Sequence, residues 1–486
     1  MFSRTLVAGG ARCDTVPMSE RSRALDAAHR AAAEFLASLP DRPVWPRASL
    51  EEMAAVFGGP LPEDGEDAAA LVSRMAADAD PGLVAIPGGR FFGFVIGGTL
   101  PAALAADWLV SAWDQNAGSS TMTPAAVAIE QAAGAWILDL LGLPATAAVG
   151  FVTGAQMSNF VCIAAARRTV LERLGWDFDR GGTHGAPHVR LVVGEHRHGS
   201  IDRAARFLGL GSDDLITVAT DREGRMLPDA LRAALDVVEP AHAVVCLQAG
   251  EVHTGAFDPF RALIPIVQDH GSWTHVDGAF GLWAAASADL RHLTDGAQLA
   301  DSWTTDAHKT LNAPYDCGMA IVRRPDDAIG MFRTGGDYLM YAGSDPWDVG
   351  PELSRRARGV PVWAALRSLG RRGVEELVDR LHANAVRMAA GLRRIAGVHV
   401  VNRVDYTQVM FRLDDDARTV ELGRLILAEG TAAVTPAVWD GRAVLRCSMS
   451  SWVTDEDDID RTLAAFDTLI GGRRSPGTVG GSGTPR

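Results

Sequence analysis

The residue with the clearest chemical signal is a lysine. The sequence contains 46 Lys and Arg residues together, and only Lys309 is a lysine. Arginine can replace lysine at a solvated surface position, but a guanidinium with a pKa above about 12 cannot become a neutral nucleophile near neutral pH. A desolvated lysine amine can do so, and it then forms an imine with a carbonyl compound. This one lysine therefore predicts Schiff-base chemistry at Lys309, and the structural alternative is a surface lysine that remained by chance.

Two further polar residues follow runs that are predicted to be buried strands. His198 comes after VRLVVGEH (189–196), and Asp277 ends the apolar run in SWTHVDGAF (272–280). Ligands of an open parallel sheet bind at the carboxyl ends of its strands, so both residues are candidates for one site. A buried carboxylate needs a partner, and the protonated ring nitrogen of an aromatic cofactor would be such a partner for Asp277. The flat imidazole of His198 could lie on the face of that ring. The structural alternatives are a helix-capping Asp and a helix-end His.

A candidate phosphate site lies in GFVTGAQMSNF (150–160), where a predicted strand runs into a helix. The residues of the turn are Gly154, Ala155 and Gln156. Backbone N–H groups and a helix N-terminus bind anions, although small residues also occupy such turns for purely structural reasons. An imine-forming amine, a partner for a ring nitrogen, a stacking imidazole and a phosphate site together predict pyridoxal 5′-phosphate (PLP) as the cofactor.

The segments around these residues alternate between helical and strand-like patterns. Between about 125 and 325 the predicted strands are 189–196, 243–250, 272–280 and 318–324. Alternation of this kind predicts an α/β layer with a mainly parallel sheet. After Trp363 a long helical stretch precedes predicted strands near 398–401, 409–413 and 443–449 and a last helix from Asp455.

This pattern divides the chain into four predicted parts. Residues 19–80 are rich in Ala at helical spacing, and the C-terminal tail has too little apolar content to fold. The parts are an N-terminal helical arm (1–90), a large PLP-binding α/β domain (91–362), a small C-terminal α+β domain (363–470) and a disordered tail (471–486).

Composition excludes several classes of protein. The net charge of −14 and the lack of a long basic run argue against a nucleic-acid partner. The apolar segment 91–113 contains a proline and a Gly-Gly pair and lacks flanking basic anchors, so we expect a buried wall or a subunit interface there and not a membrane span. The five cysteines are far apart and form no CxxC pair, which predicts neither a disulfide framework nor a metal site and favours a cytoplasmic location.

The motifs, taken in order, resemble those of the group II PLP-dependent amino-acid decarboxylases, which include aromatic-amino-acid, glutamate and diaminobutyrate decarboxylases. That family has a stacking His, a ring-nitrogen Asp and a Lys preceded by His in this order. Here they read HGSIDRA from His198, HVDGAF around Asp277 and AHK around Lys309, with family-like separations of 79 and 32 residues. Supporting segments are RFFGF (90–94), VATDREGRM (218–226), GAFDPF (255–260) and RRARGVPVWAALRSLG (355–370).

The resemblance implies the PLP-dependent transferase fold type I. This fold has a large domain, in which helices flank a mainly parallel mixed sheet, a smaller C-terminal α+β domain and an N-terminal helical arm. The resemblance also implies a homodimer with the active site at the subunit interface. The implied reaction is decarboxylation of an L-amino acid to its amine and CO2 through a Lys309 Schiff base. The implied cofactor contacts are the phosphate on Gly154, Ala155 and Gln156, Ala279 on the ring face opposite His198, and His308 near the phosphate or ring.

The sequence departs from the family pattern in two places. Val252 stands where the family often has a Thr, so a hydroxyl contact is missing. The family's proton-donating Tyr lies on a loop shortly before the Arg pair at 355–356, but no Tyr occurs between 342 and 354. Tyr341 is our candidate for that donor, with Tyr338 as the alternative. Without a donor, reaction with oxygen would give aldehyde, ammonia and peroxide instead of the amine.

Three classes of function therefore stay open. The first is a PLP-dependent decarboxylase, the second is an aldehyde-forming oxidative decarboxylase or an aminotransferase, and the third is a non-catalytic binding protein with this fold. Aminotransferases usually place an aromatic residue where this chain has His198. The substrate amino acid cannot be identified from the sequence, although Phe91, Phe92 and Phe94 would suit an aromatic side chain.

Overall fold

The structure, a computed structural model, describes residues 19–333 and 345–471. The chain divides into two compact units, Met1–Ala85 and Ile86–Arg486. The helices of the first unit are α1 (Glu20–Ser38), α2 (Leu50–Phe57) and α3 (Ala68–Ala79). Each begins after a polar residue whose side chain accepts a hydrogen bond from a backbone N–H of the first turn, namely Ser19, Ser49 and Asp67.

The second unit alternates helices and strands. Its helices are α4 (Pro101–Trp113), α5 (Pro124–Leu140), α6 (Ala155–Arg173), α7 (Phe178–Gly181), α8 (Gly199–Phe207), α9 (Pro228–Leu235), α10 (Phe260–Asp269), α11 (Pro325–Phe332), α12 (Gly359–Leu392), α13 (Asp416–Glu429) and α14 (Glu456–Gly471). Four of them begin with proline, which is preorganised for the first helical position. Helix α12 is interrupted at Gly370, whose φ of 66° is left-handed.

The strands of this unit form two sheets. They are β1 (Ala148–Val152), β2 (Arg190–Gly194), β3 (Leu215–Val218), β4 (Ala243–Gln248), β5 (Trp273–Asp277), β6 (Ser302–Asp306), β7 (Gly318–Val322), β8 (Val398–Val400), β9 (Gln408–Leu413), β10 (Thr435–Trp439) and β11 (Arg442–Ser448). The large sheet has the order β1-β7-β6-β5-β4-β2-β3, and only the pairs made by β7 are antiparallel. The small sheet, β10-β11-β9-β8, is antiparallel throughout.

The large sheet is buried on both faces. Along β4, Val245 and Leu247 join one hydrophobic cluster, while Val244 and Cys246 join the cluster on the opposite face. Such two-sided burial is typical of parallel sheets covered by crossover helices. The same geometry brings the carboxyl ends of the parallel strands to one edge, where a ligand can bind.

These observations confirm the predicted fold class, an α/β protein with a mixed, mainly parallel sheet flanked by helices. The small sheet packs with α13, α14 and the second half of α12 into a separate hydrophobic cluster. The division between the two compact units falls after Ala85. Helix α12 spans the predicted domain boundary at 362–363. The division of the chain into four parts stays a prediction. Nearly all of the predicted tail lies outside the described residues. No helix within 19–333 and 345–471 combines the length and apolarity that crossing a bilayer requires.

Candidate active site

A cavity of about 440 Å³ lies at the carboxyl edge of the large sheet. The predicted site residues among its walls are Gly154, Ala155, Gln156, His198, Asp277, Ala279, His308 and Lys309. The fold thus brings together segments that are more than 150 residues apart in the chain. Tyr341 and its alternative Tyr338 lie outside the described residues.

Asp277 is the last residue of β5 and is buried at the floor of the cavity. One carboxylate oxygen, Oδ2, accepts a hydrogen bond of 2.9 Å from the Asn159 side-chain amide, and the other, Oδ1, accepts one of 3.2 Å from the Ala279 backbone N–H. Both donors are neutral, and no ion pair within the described parts of the chain involves Asp277. The carboxylate can therefore take a cationic partner from a ligand.

His198 caps the N-terminus of α8 at one side of the cavity. Its Nδ1 lies 2.8 Å from the Ser200 hydroxyl and 3.2 Å from the Ser200 backbone nitrogen. Burial is the main cause that lowers the pKa of His198, against a smaller opposing effect of the Asp277 charge. The imidazole is therefore neutral near pH 7.

Lys309 is held by a carboxylate that the sequence analysis did not identify. Its Nζ lies 2.9 Å from Oδ2 of Asp306, the last residue of β6, and the Nε2 of His308 lies 3.5 Å from the same oxygen. The other oxygen of Asp306 accepts a 2.7 Å hydrogen bond from the Ala155 backbone N–H at the start of α6. The Lys309 amine is thereby placed within the cavity, next to the strand–helix turn.

The turn before α6 approaches these groups closely. A Cβ on Gly154 would lie 3.2 Å from Cε1 of His308 and 3.6 Å from Oδ1 of Asp306, so only glycine leaves this space open. The N-cap residue, Gly154, has no side chain that could cap the helix, and the buried Nε2 of Gln156 has no hydrogen-bond partner. The turn therefore offers an unused amide donor at the positive end of a 19-residue helix, which suits an anion.

Arg446 on β11 is a second cavity residue that the sequence analysis missed. It is only 4% exposed, and its guanidinium donates to the backbone oxygens of Val252 (2.7 Å) and Phe94 (3.2 Å) while its Nε has no partner. Burial lowers the pKa of Arg446 to about 10. A buried cation whose hydrogen-bond partners are neutral favours an anionic ligand group.

The apolar wall of the cavity differs from the expected one. Phe94 lies on it, together with Val95, Ile96, Val252 and Phe280. The side chain of Phe92 instead joins the hydrophobic cluster of the small sheet, and Phe91 is buried outside the cavity lining. The expectation that all three phenylalanines face a substrate was therefore wrong for Phe91 and Phe92.

Comparison with known proteins defines the class of this protein. Residues 51–414 match the model of the pyridoxal-dependent decarboxylase conserved domain. The chain is 27% identical over 428 residues to L-2,4-diaminobutyrate decarboxylase of Rhizobium meliloti, an alignment that covers 84% of this chain and 83% of the relative. It is 25% identical over 454 residues to 4-hydroxyphenylacetaldehyde synthase of Rhodiola rosea, which covers 88% of this chain and 90% of that relative. A crystal structure of Oryza sativa TDC with PLP and tryptamine has the same fold, with a TM-score of 0.87 at 22% identity over 96% of this chain and 99% of that one.

The chain belongs to the pyridoxal-dependent decarboxylase family. It is a PLP-dependent carboxy-lyase that acts on an amino acid, as the resemblance implied.

The cavity residues fit this cofactor. Lys309 would supply the amine for the cofactor aldehyde, Asp277 a carboxylate with only neutral partners for the ring nitrogen, and Gln156 an unpaired donor for the phosphate. When bound, PLP supplies an electron-accepting ring conjugated to the carbon that loses CO2. With the cofactor bound, Asp277 would keep the ring nitrogen protonated, Asp306 would position the Lys309 amine for proton transfer, and the apolar wall would exclude water.

Proposed function

We propose that this enzyme removes the α-carboxyl group of an L-amino acid with an uncharged, apolar side chain and releases the amine. Lys309 holds the cofactor, Asp277 binds its ring nitrogen, His198 and Ala279 contact opposite ring faces, and the phosphate lies near His308 and the turn formed by Gly154, Ala155 and Gln156. The observation that carries this proposal is the convergence of all these residues on the one cavity that contains Lys309.

The proposed substrate class follows from the charges around the cavity. Lys309 and Arg446 are its only Lys or Arg side chains among the described residues. Since Lys309 holds the cofactor, Arg446 remains to bind the substrate's α-carboxylate. No further Lys or Arg among these lining residues is then left for a second carboxylate, and the side chain would meet Phe94, Ile96 and Val252. An aromatic amino acid fits these walls best.

The substrate test is a panel of amino acids assayed for CO2 and amine with the purified, PLP-loaded enzyme. We expect the highest kcat/KM for aromatic amino acids such as tryptophan and tyrosine. The panel includes diaminobutyrate, glutamate and cysteine sulfinate as charged competitors. A charged amino acid as the best substrate would contradict the assignment of the apolar wall.

The product test addresses the amine-forming reaction. The Rhodiola rosea relative is named for an aldehyde product, so amine, aldehyde, ammonia and peroxide have to be measured in the same reaction. We propose that amine and CO2 form in equal amounts. Tyr341→Phe and Tyr338→Phe are measured in parallel, and aldehyde that rises at the expense of amine in one of them identifies the proton donor. Aldehyde as the main wild-type product would reject the proposed reaction.

We also propose a cytoplasmic homodimer with its active site at the subunit interface. Three large apolar side chains of α4, namely Trp108, Leu109 and Trp113, are 38–48% exposed, which favours a protein–protein contact. The four cysteines of the described residues are free and buried, as suits a reducing compartment. Sedimentation of the active enzyme tests the dimer, and cell fractionation tests the location. An active monomer would contradict the first proposal.

A further inference from the structure

A set of buried polar residues behind the cavity connects two of its walls. At its centre is Asn159 on α6, which is completely buried. Its Nδ2 lies 2.9 Å from Oδ2 of Asp277 and 3.1 Å from Oγ of Ser200, which in turn contacts His198. Its Oδ1 lies 2.9 Å from Nε2 of His275. One amide therefore connects a branch that leads to the ring-nitrogen carboxylate with a branch that leads to the stacking imidazole.

The chemistry of the partners fixes the orientation of this amide. An ionised Asp277 can only accept hydrogen bonds, so the Asn159 atom that faces it must be the N–H donor. The Oδ1 of Asn159 then accepts from His275, whose proton must be on Nε2. Burial lowers the pKa of His275 to about 4, so the ring is neutral and its Nδ1 accepts from Ser302, 2.9 Å away.

The second branch fixes the proton on His198. The backbone N–H of Ser200 can only donate, and it points at Nδ1 of His198. The hydroxyl of Ser200 accepts from Asn159, so its own hydrogen is free to donate to the same Nδ1. Since Nδ1 accepts both hydrogen bonds, the neutral ring carries its proton on Nε2.

We propose that Asn159 is a positioning residue that holds the Asp277 carboxylate in place and keeps His198 as the Nε2–H tautomer through one side-chain amide. His198 then meets a ligand as a hydrogen-bond donor, and its Nδ1 is not available as a base. This inference rests on the ring contacts proposed above for Asp277 and His198.

Local charge does not decide the tautomer by itself. The charged groups that act on His198 are Asp277 and Asp306, which favour the imidazolium, and Lys309 and Arg446, which oppose it. These charges act on the gain of a second proton by the ring, so the hydrogen bonds at Nδ1 determine which nitrogen of the neutral ring carries the proton. The network should therefore respond to removal of a hydroxyl that carries no charge.

The direct test is nuclear magnetic resonance of the full-length, PLP-loaded enzyme labelled with ¹⁵N in its histidine rings. The signals of His198 are assigned by their loss in His198→Gln. We expect an unprotonated Nδ1 and a protonated Nε2 at neutral pH. A protonated Nδ1 in the wild type would overturn the inference.

Ser200→Ala removes the hydroxyl branch and leaves the contact between Asn159 and Asp277 in place. Because the neutral ring loses a donor, we expect the pH at which His198 gains its second proton to rise by about half a unit or more. Ser158→Ala is the matched control, since Ser158 is also buried on the same helix as Asn159 but contacts Thr304 and the backbone oxygen of Met319. Equal titration of His198 in the two variants would overturn the His198 branch.

Asn159→Leu removes both branches while it keeps a similar volume. We expect kcat to fall about tenfold and KM to stay within about threefold, because Asp277 loses one of its two hydrogen-bond donors but the substrate contacts remain. Ser200→Ala should lower kcat less than Asn159→Leu, and equal losses would overturn the Asp277 branch. The histidine signals do not depend on turnover. If the enzyme showed the expected tautomer but was inactive with every amino acid, the proposed function would be rejected and the inference about Asn159 would stand.

Discussion

Asp277 and Asp306 occupy equivalent places in the fold but have different partners. Each is the last residue of one of two neighbouring parallel strands, and the two residues are 7% and 1% exposed. Asp277 is bonded by an amide and a backbone N–H, both neutral. Asp306 contacts the Lys309 ammonium, the His308 imidazole and the first N–H of α6.

This difference shows how one sheet edge can perform two tasks with the same residue type. A buried carboxylate is stable only when hydrogen bonds or opposite charges compensate it. The charge of Asp277 is solvated by dipoles and stays available to a cationic ring nitrogen. The charge of Asp306 is already balanced within the protein, so this residue positions Lys309.

The largest expected effect is at the amine that Asp306 positions. Lys309→Ala and Lys309→Arg should lower turnover below about 1% of the wild-type rate, since neither side chain can attach the cofactor aldehyde. The measurement is CO2 release together with the visible absorbance of the bound cofactor before and after borohydride treatment.

The control for this prediction is Arg446→Lys, which changes a cation elsewhere in the cavity but leaves the amine of Lys309 in place. We expect this variant to keep the borohydride-sensitive absorbance and to lose substrate affinity. Turnover above a few per cent in both Lys309 variants would contradict the central role of the amine.

The next effect concerns Asp277, the carboxylate that has only neutral partners. Asp277→Asn should bind PLP but lower kcat by about 100-fold or more, because a neutral amide no longer favours the protonated ring nitrogen. Binding is measured by cofactor titration and kcat by CO2 release. A rate close to that of the wild type would move the ring-nitrogen role to another residue and remove the contrast with Asp306.

The sequence predicted the residues of this site that stand beside recognisable patterns. Asp277 follows an apolar run, and Lys309 is unique in composition. Asp306 was missed because its strand reads SWTTD, in which buried polar residues hide the strand. Arg446 is one of many arginines, and only its burial distinguishes it. Asn159 was missed because α6 is buried on most of its surface, so its sequence has no polar face from which a buried amide would stand out.

A smaller effect is expected in the pH dependence of stability near Asp277. Burial lowers the pKa of His275 to about 4, below the ordinary value near 6.5, so the unfolded chain binds more protons between these two pH values. The contribution of His275 to stability is therefore present above pH 6.5 and is lost as the pH falls towards 4, by up to about 3 kcal/mol.

The measurement is denaturant unfolding of the wild type and His275→Gln at several pH values. Glu251 and Asp258, whose pKa values burial raises to about 7 and about 6, oppose this trend in both proteins and cancel in the difference. We expect the wild type to lose more stability than the variant between pH 6.5 and 4. His188→Gln, at an exposed site, is the control, and a similar difference there would contradict the assignment to His275.

The smallest expected effect is at the compensated carboxylate. Asp306→Asn keeps the size of the side chain and an oxygen that can accept from the Ala155 N–H, but it removes an anion from the helix end where the phosphate is proposed to bind. It also replaces the ion pair that holds the Lys309 amine with a neutral contact. Both changes should help the cofactor to attach, so we expect its dissociation constant to fall by about three- to tenfold.

Titration of the cofactor-free protein with PLP, followed by absorbance, measures this constant. Asp301→Asn is the matched control, because Asp301 precedes the same strand at its opposite end and accepts a hydrogen bond from the Thr274 backbone N–H. We expect that control to leave PLP affinity unchanged. Asp306→Asn could instead weaken PLP binding. The charge of Asp306 would then help the cofactor, by orienting the Lys309 amine, more than it hinders binding by repelling the phosphate. The two strand-end carboxylates would then both act through their charge, and the contrast between them would lie only in the partner that each one holds.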